Sequence, residues 1–185
     1  MYRLEKMLVL VGLMGAGKTS VGKKLAETLQ VGFLDADHEI ELAAGMSISE
    51  IFDKFGEEYF REGEKKVIKR LVKQQPQIIA TGGGAFLSQE IQETISRCGV
   101  SIWIKADLET LWNRVSGNQN RPLLNNSNPK LTLRHLIDER YPIYQQADII
   151  VKSTSNVSHA CMVTKIIREL QKKNIIIKNP IANWK

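Results

Sequence analysis

The amino-acid sequence predicts an α/β fold in which helices cover a parallel β-sheet. Short runs rich in β-branched residues alternate with long amphipathic stretches, and this alternation is typical of such folds. The first run, residues 7–11, is apolar throughout and predicts a strand that is buried on both faces. Residues 18–30 follow, with Val21, Leu25 and Leu29 on one side, which predicts a helix packed on that sheet.

The rest of the chain repeats this pattern. The predicted strands cover residues 7–11, 33–35, 77–81, 100–104 and 148–151. The predicted helices cover residues 18–30, 47–75, 89–98, 108–115 and 131–144, and a basic final helix follows the last strand. A capping box at Ser47 and Glu50 begins the second helix, which is expected to bend near Gly56 and to end before Pro76.

The length of 185 residues indicates a single domain. We assign residues 1–174 to this domain and residues 175–185 to a C-terminal tail whose role the sequence does not reveal. Residues 116–129 are rich in Gly, Asn, Ser and Pro, which do not build a core. This stretch is therefore predicted to be a mobile loop and a candidate lid.

The formal net charge of +6 is concentrated near the C-terminus. Six basic residues and one acidic residue follow Thr164, so the rest of the chain is nearly neutral. No aromatic side chains interleave with the charges of the final helix. A nucleic-acid partner is therefore not expected.

The two cysteines, Cys98 and Cys161, lie far apart without metal-ligand spacing, which indicates reduced thiols. No apolar run approaches the roughly 20 residues of a membrane span, and the first residues lack the apolar core of a secretory signal. We therefore expect a cytoplasmic protein without a membrane partner. His38, His135 and His159 share no metal-ligand or triad spacing and are expected at surface or helix positions.

The segment at residues 12–19, Gly-Leu-Met-Gly-Ala-Gly-Lys-Thr, matches the phosphate-binding P-loop motif and stands between a predicted strand and a predicted helix. Its backbone N–H groups and the helix N-terminus suit phosphate oxygens. Lys18 is expected to reach the β- and γ-phosphates of a nucleotide, and the Thr19 hydroxyl to bind Mg²⁺. The expected ATP contacts of this segment are Gly15, Ala16, Gly17, Lys18, Thr19 and Ser20. The fold is thus predicted to be a P-loop NTPase fold.

P-loop proteins include switches, motors and kinases, which differ in their other motifs. The N-K-x-D motif that reads guanine in GTPases is missing. The predicted strand 77–81 ends in Gly82-Gly83-Gly84, whereas a motor ATPase would have an acidic pair there. These two absences favour a kinase.

Two carboxylates follow the second predicted strand, at the sheet edge that the P-loop also occupies. Asp35 is expected to hold Mg²⁺ through water. Asp37 is expected either to accept the proton of an attacking hydroxyl or to orient that hydroxyl for in-line transfer. The glycines at residues 82–84 either form a flexible loop or allow the backbone to approach a substrate closely.

Six motifs, taken in order, resemble those of the shikimate kinases over nearly the whole chain up to about Leu170. They are the P-loop, F-x-D-x-D at 33–37, F-R-x-x-E at 60–64, T-G-G-G at 81–84, R-P-L-L at 121–124 and R-x-x-x-Y at 140–144. The resemblance implies a three-layer, nucleoside-monophosphate-kinase-like fold with five parallel strands in the order 2-3-1-4-5. It also implies a monomer that uses Mg²⁺ and transfers the γ-phosphate of ATP to the 3-hydroxyl of shikimate.

The resemblance further implies which residues bind the acceptor. Arg61 and Arg140 would grip the shikimate carboxylate, a task that suits the planar guanidinium group. Asp37, together with Gly82 and Gly83, would hold the ring hydroxyls, so Asp37 would combine binding with deprotonation.

On the nucleotide side, the resemblance implies that Arg114 stacks on adenine. Arg121, in the candidate lid, would contact the phosphates and neutralise charge during transfer. Residues 36–63 would form the substrate-binding segment. The turn at residues 153–156 varies in the family, which leaves part of the adenine site undefined.

Two other hypotheses remain open. A related kinase acting on gluconate or a nucleoside monophosphate would share the P-loop and the lid, but not the pair Arg61 and Arg140 with the D-x-D motif. A non-catalytic nucleotide-binding module is the second alternative, and the presence of Lys18, Asp37 and Arg121 argues against it.

Overall fold

The structure is a computed structural model that describes residues 2–117, 122–124 and 126–178. The strands within these residues are β1 (Tyr2–Leu4), β2 (Met7–Val11), β3 (Phe33–Asp35), β4 (Ile78–Ala80), β5 (Gly99–Ala106), β6 (Ile149–Ser153) and β7 (Ile176–Lys178). The α-helices are α1 (Lys18–Leu29), α2 (Ala36–Ala44), α3 (Ile48–Leu71), α4 (Gln89–Cys98), α5 (Leu108–Val115), α6 (Pro129–Tyr144) and α7 (His159–Lys172). Short 3-10 turns lie at Ala85–Leu87 and Pro122–Leu124.

The main sheet contains five parallel strands in the spatial order β3-β4-β2-β5-β6. When β1, which belongs to a separate ribbon, is left out of the count, this order is the predicted 2-3-1-4-5. The central strand β2 is buried at every residue, as its uninterrupted apolar run predicts. Helices flank the sheet, with α1 packed against α7 and α5 against α6. The predicted P-loop fold class is therefore confirmed.

The predicted helix over residues 47–75 is α3, and it contains the expected bend. Ser47 caps it with a capping box to Glu50. Gly56 has the non-helical angles φ 81 and ψ 175, so a residue suited to positive φ interrupts the helix there. The helix ends at Leu71, four residues before the predicted end.

Helix α2 is a difference from the sequence prediction, which left residues 36–44 without an element. Asp35 begins this helix, because its side chain accepts a hydrogen bond from the Asp37 backbone N–H. Gly45, with φ 67, ends it. The predicted substrate-binding segment 36–63 is therefore α2 together with the first two-thirds of α3.

The two chain ends meet in a second sheet. Strand β1 pairs antiparallel with β7, with Arg3 opposite Ile177. Ile176 is buried, so the part of the predicted tail up to residue 178 packs on the domain. The domain therefore extends beyond its predicted end at residue 174.

The predicted lid, residues 116–129, lies only partly within the described chain. It includes the 3-10 turn Pro122–Leu124, and α6 already begins at Pro129, two residues before its predicted start. Residues 118–121 and 125 lie outside the described residues. No helix in the described parts of the chain is long and apolar enough to cross a membrane.

Candidate active site

The P-loop connects β2 to α1 in the geometry that its glycines allow. Gly12 and Gly15 have φ values of 135 and 77, which side chains with a Cβ rarely adopt. A Cβ atom at Gly12 would also lie 2.8 Å from the Ile104 carbonyl oxygen, and one at Gly15 would lie 2.7 Å from Cγ1 of Val115. The loop therefore rests directly on β5 and α5, and both glycines are required for that close contact.

Lys18 is the first residue of α1 and lies within the curve of the loop. Its Nζ donates hydrogen bonds to the carbonyl oxygens of Gly12, at 2.7 Å, and Leu13, at 3.0 Å. The ammonium group is thus held at the start of the helix, where phosphate oxygens would meet the backbone N–H groups.

The two predicted metal-binding residues lie together. The Thr19 hydroxyl donates a hydrogen bond of 2.9 Å to Oδ2 of Asp35. The other oxygen of Asp35 accepts from the backbone N–H of Asp37 at 3.2 Å. The N-cap of α2 thus holds the Asp35 carboxylate against the first turn of α1. Hydroxyl and carboxylate oxygens are ligands that Mg²⁺ accepts, so the two residues fit this ion.

A cleft of about 300 Å³ brings most of the predicted site residues together. Its lining includes Gly15, Gly17, Lys18, Thr19, Ser20, Asp35, Asp37, Gly82, Gly83 and Arg114. Ala16 lies within the same loop but is buried. Arg121 lies outside the described residues, so its predicted position in the site stays a prediction. His159, the first residue of α7, also lines the cleft, although its sequence context gave no sign of this.

The predicted substrate-binding arginines, Arg61 and Arg140, lie on either side of the glycines that follow β4. Arg140 donates a hydrogen bond of 3.1 Å to the Gly83 carbonyl oxygen. A Cβ atom at Gly84 would lie 2.5 Å from Nη1 of Arg61, so a side chain there would displace the guanidinium from this position. Residues from α3 and α6 therefore meet across this glycine segment.

Tyr144 supports the same segment from one turn further along α6. Its hydroxyl donates a hydrogen bond to the Gly83 carbonyl oxygen, which Arg140 also contacts. Burial raises the pKa of Tyr144 to about 12, so the phenol keeps its proton and remains a donor at neutral pH. The Gly83 carbonyl oxygen thus accepts hydrogen bonds from two side chains of α6.

Arg140 is a buried cation, with 6% of its surface exposed. Within the described chain it forms no ion pair with a carboxylate, and its Nε has no hydrogen-bond partner. An uncompensated buried charge is costly. The geometry therefore favours an anionic ligand beside this guanidinium.

Glu64 is a site residue whose role the sequence did not reveal. It is 1% exposed, and its Oε2 accepts a hydrogen bond of 2.8 Å from Nη1 of Arg61. Burial raises the pKa of Glu64, Arg61 opposes that effect, and the Asp37 charge adds to it. The three-residue spacing from Arg61 was the available signal, but that spacing equally predicts an ordinary surface pair on a helix.

Arg114 extends from α5 across the P-loop. It donates hydrogen bonds to the carbonyl oxygens of Gly15 and Ala16, at 3.1 and 3.3 Å. It also contacts Ser153 and Thr154 at the end of β6. Arg114 therefore lies between the P-loop and the end of β6, and its predicted stacking on adenine stays a prediction.

Comparisons with known proteins agree with this arrangement. A family model described as "Shikimate kinase" matches residues 14–171. The shikimate kinase of Ruegeria pomeroyi is 49% identical over 175 residues, covering 95% of this chain and 90% of that protein. That of Paramagnetospirillum magneticum is 51% identical over 161 residues, covering 87% and 83% of the two chains.

Solved structures give the same result. The shikimate kinase from Acinetobacter baumannii in complex with shikimate has a TM-score of 0.86 and 37% identity, covering 91% of this chain and 94% of that chain. The shikimate kinase from Aquifex aeolicus has a TM-score of 0.80 and 32% identity, covering 91% and 98%. Because the family model matches residues 14–171 and these relatives cover most of the chain at 32–51% identity, the chain belongs to the shikimate kinase family.

Proposed function

We propose that this protein transfers the γ-phosphate of Mg-ATP to the 3-hydroxyl of shikimate, giving shikimate 3-phosphate and ADP. The observation that carries this proposal is the buried guanidinium of Arg140, which forms no ion pair with a carboxylate in the described part of the chain. Shikimate is a carboxylate with ring hydroxyls, and its carboxylate would supply the missing counter-charge. A neutral acceptor would leave that cation uncompensated.

Arg61 and Arg140 would bind the acceptor's carboxylate from the two sides of the glycine segment. Arg61 is held by Glu64 on its inner side and by Glu57 on its outer side. This fixes the guanidinium in one orientation, which reduces the entropy lost on binding. The relative from Acinetobacter baumannii, whose structure is a complex with shikimate, supports the same class of acceptor.

Asp37 would act on the acceptor hydroxyl. A Cβ atom at Gly82 would lie only 2.7 Å from Oδ1 of Asp37, so this carboxylate borders the glycine segment as well as the P-loop cleft. We propose that Asp37, aided by Gly82 and Gly83, orients the hydroxyl and accepts its proton. Positioned general bases of this kind contribute about 10²- to 10⁴-fold in rate.

At the nucleotide end, Lys18 and the P-loop backbone would bind the β- and γ-phosphates, and Arg121 would neutralise charge on the transferred group. Thr19 and Asp35, whose oxygens lie 2.9 Å apart, would hold Mg²⁺, with Asp35 acting through water. Bound Mg²⁺ supplies charge that offsets that of the phosphate oxygens. Gly15, Ala16, Gly17, Ser20 and Arg114 would complete the ATP contacts.

We also propose that the protein acts as a monomer in the cytoplasm. The exposed free thiols of Cys98 and Cys161 suit a reducing compartment such as the cytoplasm. Size-exclusion chromatography with light scattering tests the first statement, and cell fractionation tests the second.

The experiment that tests the function measures ADP release by the purified protein with Mg-ATP and a panel of acceptors. The panel contains shikimate, gluconate, nucleoside monophosphates and no acceptor. Turnover that depends on shikimate alone is the expected result. Turnover with gluconate or a nucleoside monophosphate in place of shikimate would keep the kinase class but overturn the acceptor.

A further inference from the structure

The Arg114 side chain joins two loops that border the nucleotide side of the cleft. Its Nη1 donates to the carbonyl oxygens of Gly15 and Ala16 in the P-loop. Its Nη2 donates to the carbonyl oxygen of Thr154, in the turn between β6 and α7, at 3.2 Å. The guanidinium is exposed at the cleft, so these contacts hold a charged group that could otherwise move freely.

Ser153 is the side chain that completes this arrangement. Its Oγ lies 3.2 Å from both Nη1 and Nη2 of Arg114, so the two ends of the guanidinium share one acceptor. The other acceptors are backbone carbonyls, which any sequence would present. Ser153 is the last residue of β6 and is 4% exposed, so its hydroxyl is fixed by the sheet.

We propose that Ser153 is a positioning residue for nucleotide binding that acts through Arg114. It holds the Arg114 guanidinium across the P-loop, so that this cation is already in place when ATP binds. This inference rests on the proposed kinase function and deepens it on the nucleotide side. Residues 154–156 are Thr, Ser and Asn and bring no cation of their own. The positive charge held beside this turn is that of Arg114, which extends from α5.

The P-loop packs directly on α5, so the position of Arg114 affects the P-loop as well as the ATP contacts. A Cβ atom at Gly15 would lie 3.2 Å from the Leu111 carbonyl oxygen and 3.7 Å from Cβ of Arg114. The two P-loop carbonyls that Arg114 contacts are therefore held against the end of α5. Without the Ser153 hydroxyl, the guanidinium would sample other orientations, and ATP binding would have to order it.

Binding of the acceptor should not respond to loss of the Ser153 hydroxyl. Arg61 and Arg140 contact Glu57, Glu64 and Gly83, and none of these contacts involves Ser153 or Arg114. Loss of the Ser153 hydroxyl should therefore raise the KM for ATP and leave the KM for shikimate unchanged. A general loosening of the fold would raise both.

The test compares Ser153→Ala, Ser153→Thr and the control Ser101→Ala. Ser101 is also a buried serine of the main sheet whose hydroxyl contacts a charged side chain, the Asp148 carboxylate, but it does not line the ATP cleft. We expect Ser153→Ala to raise the KM for ATP about tenfold, a loss of about the size expected for hydrogen bonds to a charged group. Ser153→Thr keeps the hydroxyl, so its KM for ATP should stay within about threefold of the wild-type value.

The decisive measurement adds Arg114→Ala and the double variant. If Ser153 acts through Arg114, Ser153→Ala will have no further effect on the KM for ATP in the Arg114→Ala background. Full additivity of the two changes would overturn the proposal. So would an unchanged KM for ATP in Ser153→Ala, or a rise in the KM for shikimate of equal size.

Calorimetric titration with ATP in the absence of an acceptor separates this inference from the function on which it rests. Weaker ATP binding by Ser153→Ala, with Ser101→Ala equal to wild type, supports the role of Ser153 even if shikimate proves to be the wrong acceptor. Equal ATP affinity of all three folded proteins, checked by circular dichroism, refutes it whatever the acceptor is.

Discussion

The Oε2 atom of Glu64 lies 2.8 Å from Nη1 of Arg61, in an ion pair within α3 whose carboxylate partner is buried. Glu64 is 1% exposed, and its Oε1 has no hydrogen-bond partner in the described part of the chain. Asp37 adds a second negative charge to its surroundings. A carboxylate that is only half satisfied thus orients one of the arginines proposed to bind the acceptor.

Replacing Glu64 with Gln should change how stability depends on pH. Burial raises the pKa of Glu64 above its ordinary value of 4.5, so the folded state binds this proton more tightly than the unfolded chain. Its contribution to folding is therefore complete below that ordinary value and is lost as the pH rises through the raised pKa. Urea unfolding should show the free energy of unfolding of wild type, minus that of Glu64→Gln, decreasing as the pH rises above the ordinary pKa of 4.5.

Glu90→Gln is the matched control with the opposite sign. A hydrogen bond from Lys69 lowers the pKa of Glu90, so its contribution to stability is present at neutral pH and is lost on acidification. The free energy of unfolding of wild type, minus that of Glu90→Gln, should therefore rise with pH. The rise should be small, because solvent screens this exposed pair. A decrease for both carboxylates would mean that the Glu64 result reports a general effect of acid.

Gly82→Ala should slow the reaction by displacing Asp37. A Cβ atom at this position would lie 2.7 Å from Oδ1 of Asp37, which is too short for a real contact, and 3.0 Å from Oε1 of Glu64, which is a tight contact. The Asp37 carboxylate would have to move, and small displacements of a general base are costly. We expect kcat, measured by ADP release, to fall at least about 100-fold.

Gly63→Ala provides the control for Gly82→Ala. Gly63 lies inside α3, and a Cβ atom there would meet nothing within 4 Å. Alanine should therefore preserve kcat and stabilise the helix by about 0.5–1 kcal/mol. Equal losses of kcat in the two variants would contradict the steric explanation.

Features of the fold that depend on local sequence were predictable. The apolar run 7–11 became the central strand β2, and the glycines beside it formed the P-loop. Helix α2 was not predicted, because only Ala36 and Ile40 of its nine residues are buried. The other apolar residues of α2, Leu42, Ala43 and Ala44, are exposed and adjacent, so the sequence shows no recognisable helical period.

Features of the site that depend on distant packing could not be predicted in the same way. The burial of Glu64 requires the glycine segment after β4 to lie over α3, and the contact of Ser153 with Arg114 joins residues 39 positions apart. The motifs predicted most cleft residues, because most of these residues follow a parallel strand or begin a helix. Such positions meet at one edge of the sheet.

Arg140→Met should separate acceptor binding from stability. Methionine fills a similar elongated volume without a charge, so it removes both the proposed carboxylate ligand and the cost of a buried cation. We expect the KM for shikimate to rise about 100-fold, with the midpoint of thermal unfolding unchanged or higher. Arg134→Met, at an exposed position on the same helix, should leave the KM for shikimate unchanged. A strong loss of stability in Arg140→Met with a normal KM would assign Arg140 a structural role.

The ribbon formed by β1 and β7 should stabilise the domain without affecting catalysis. Ile176 and Ile177 are neighbours in β7, but the first is 4% exposed and the second 49% exposed. Ile176→Ala should cost about 2–4 kcal/mol in the free energy of unfolding, because it creates a cavity. Ile177→Ala should cost less than about 1 kcal/mol.

Neither isoleucine lines the ATP cleft, so kcat at a temperature where both variants remain folded should match the wild type. The comparison is sharp because the two residues are of the same type and are neighbours in one strand, but differ strongly in burial. Equal and small losses would mean that β7 does not pack on the domain in solution, and the domain would then end near residue 174. A large loss for Ile176→Ala alone would establish that the C-terminal segment belongs to the core.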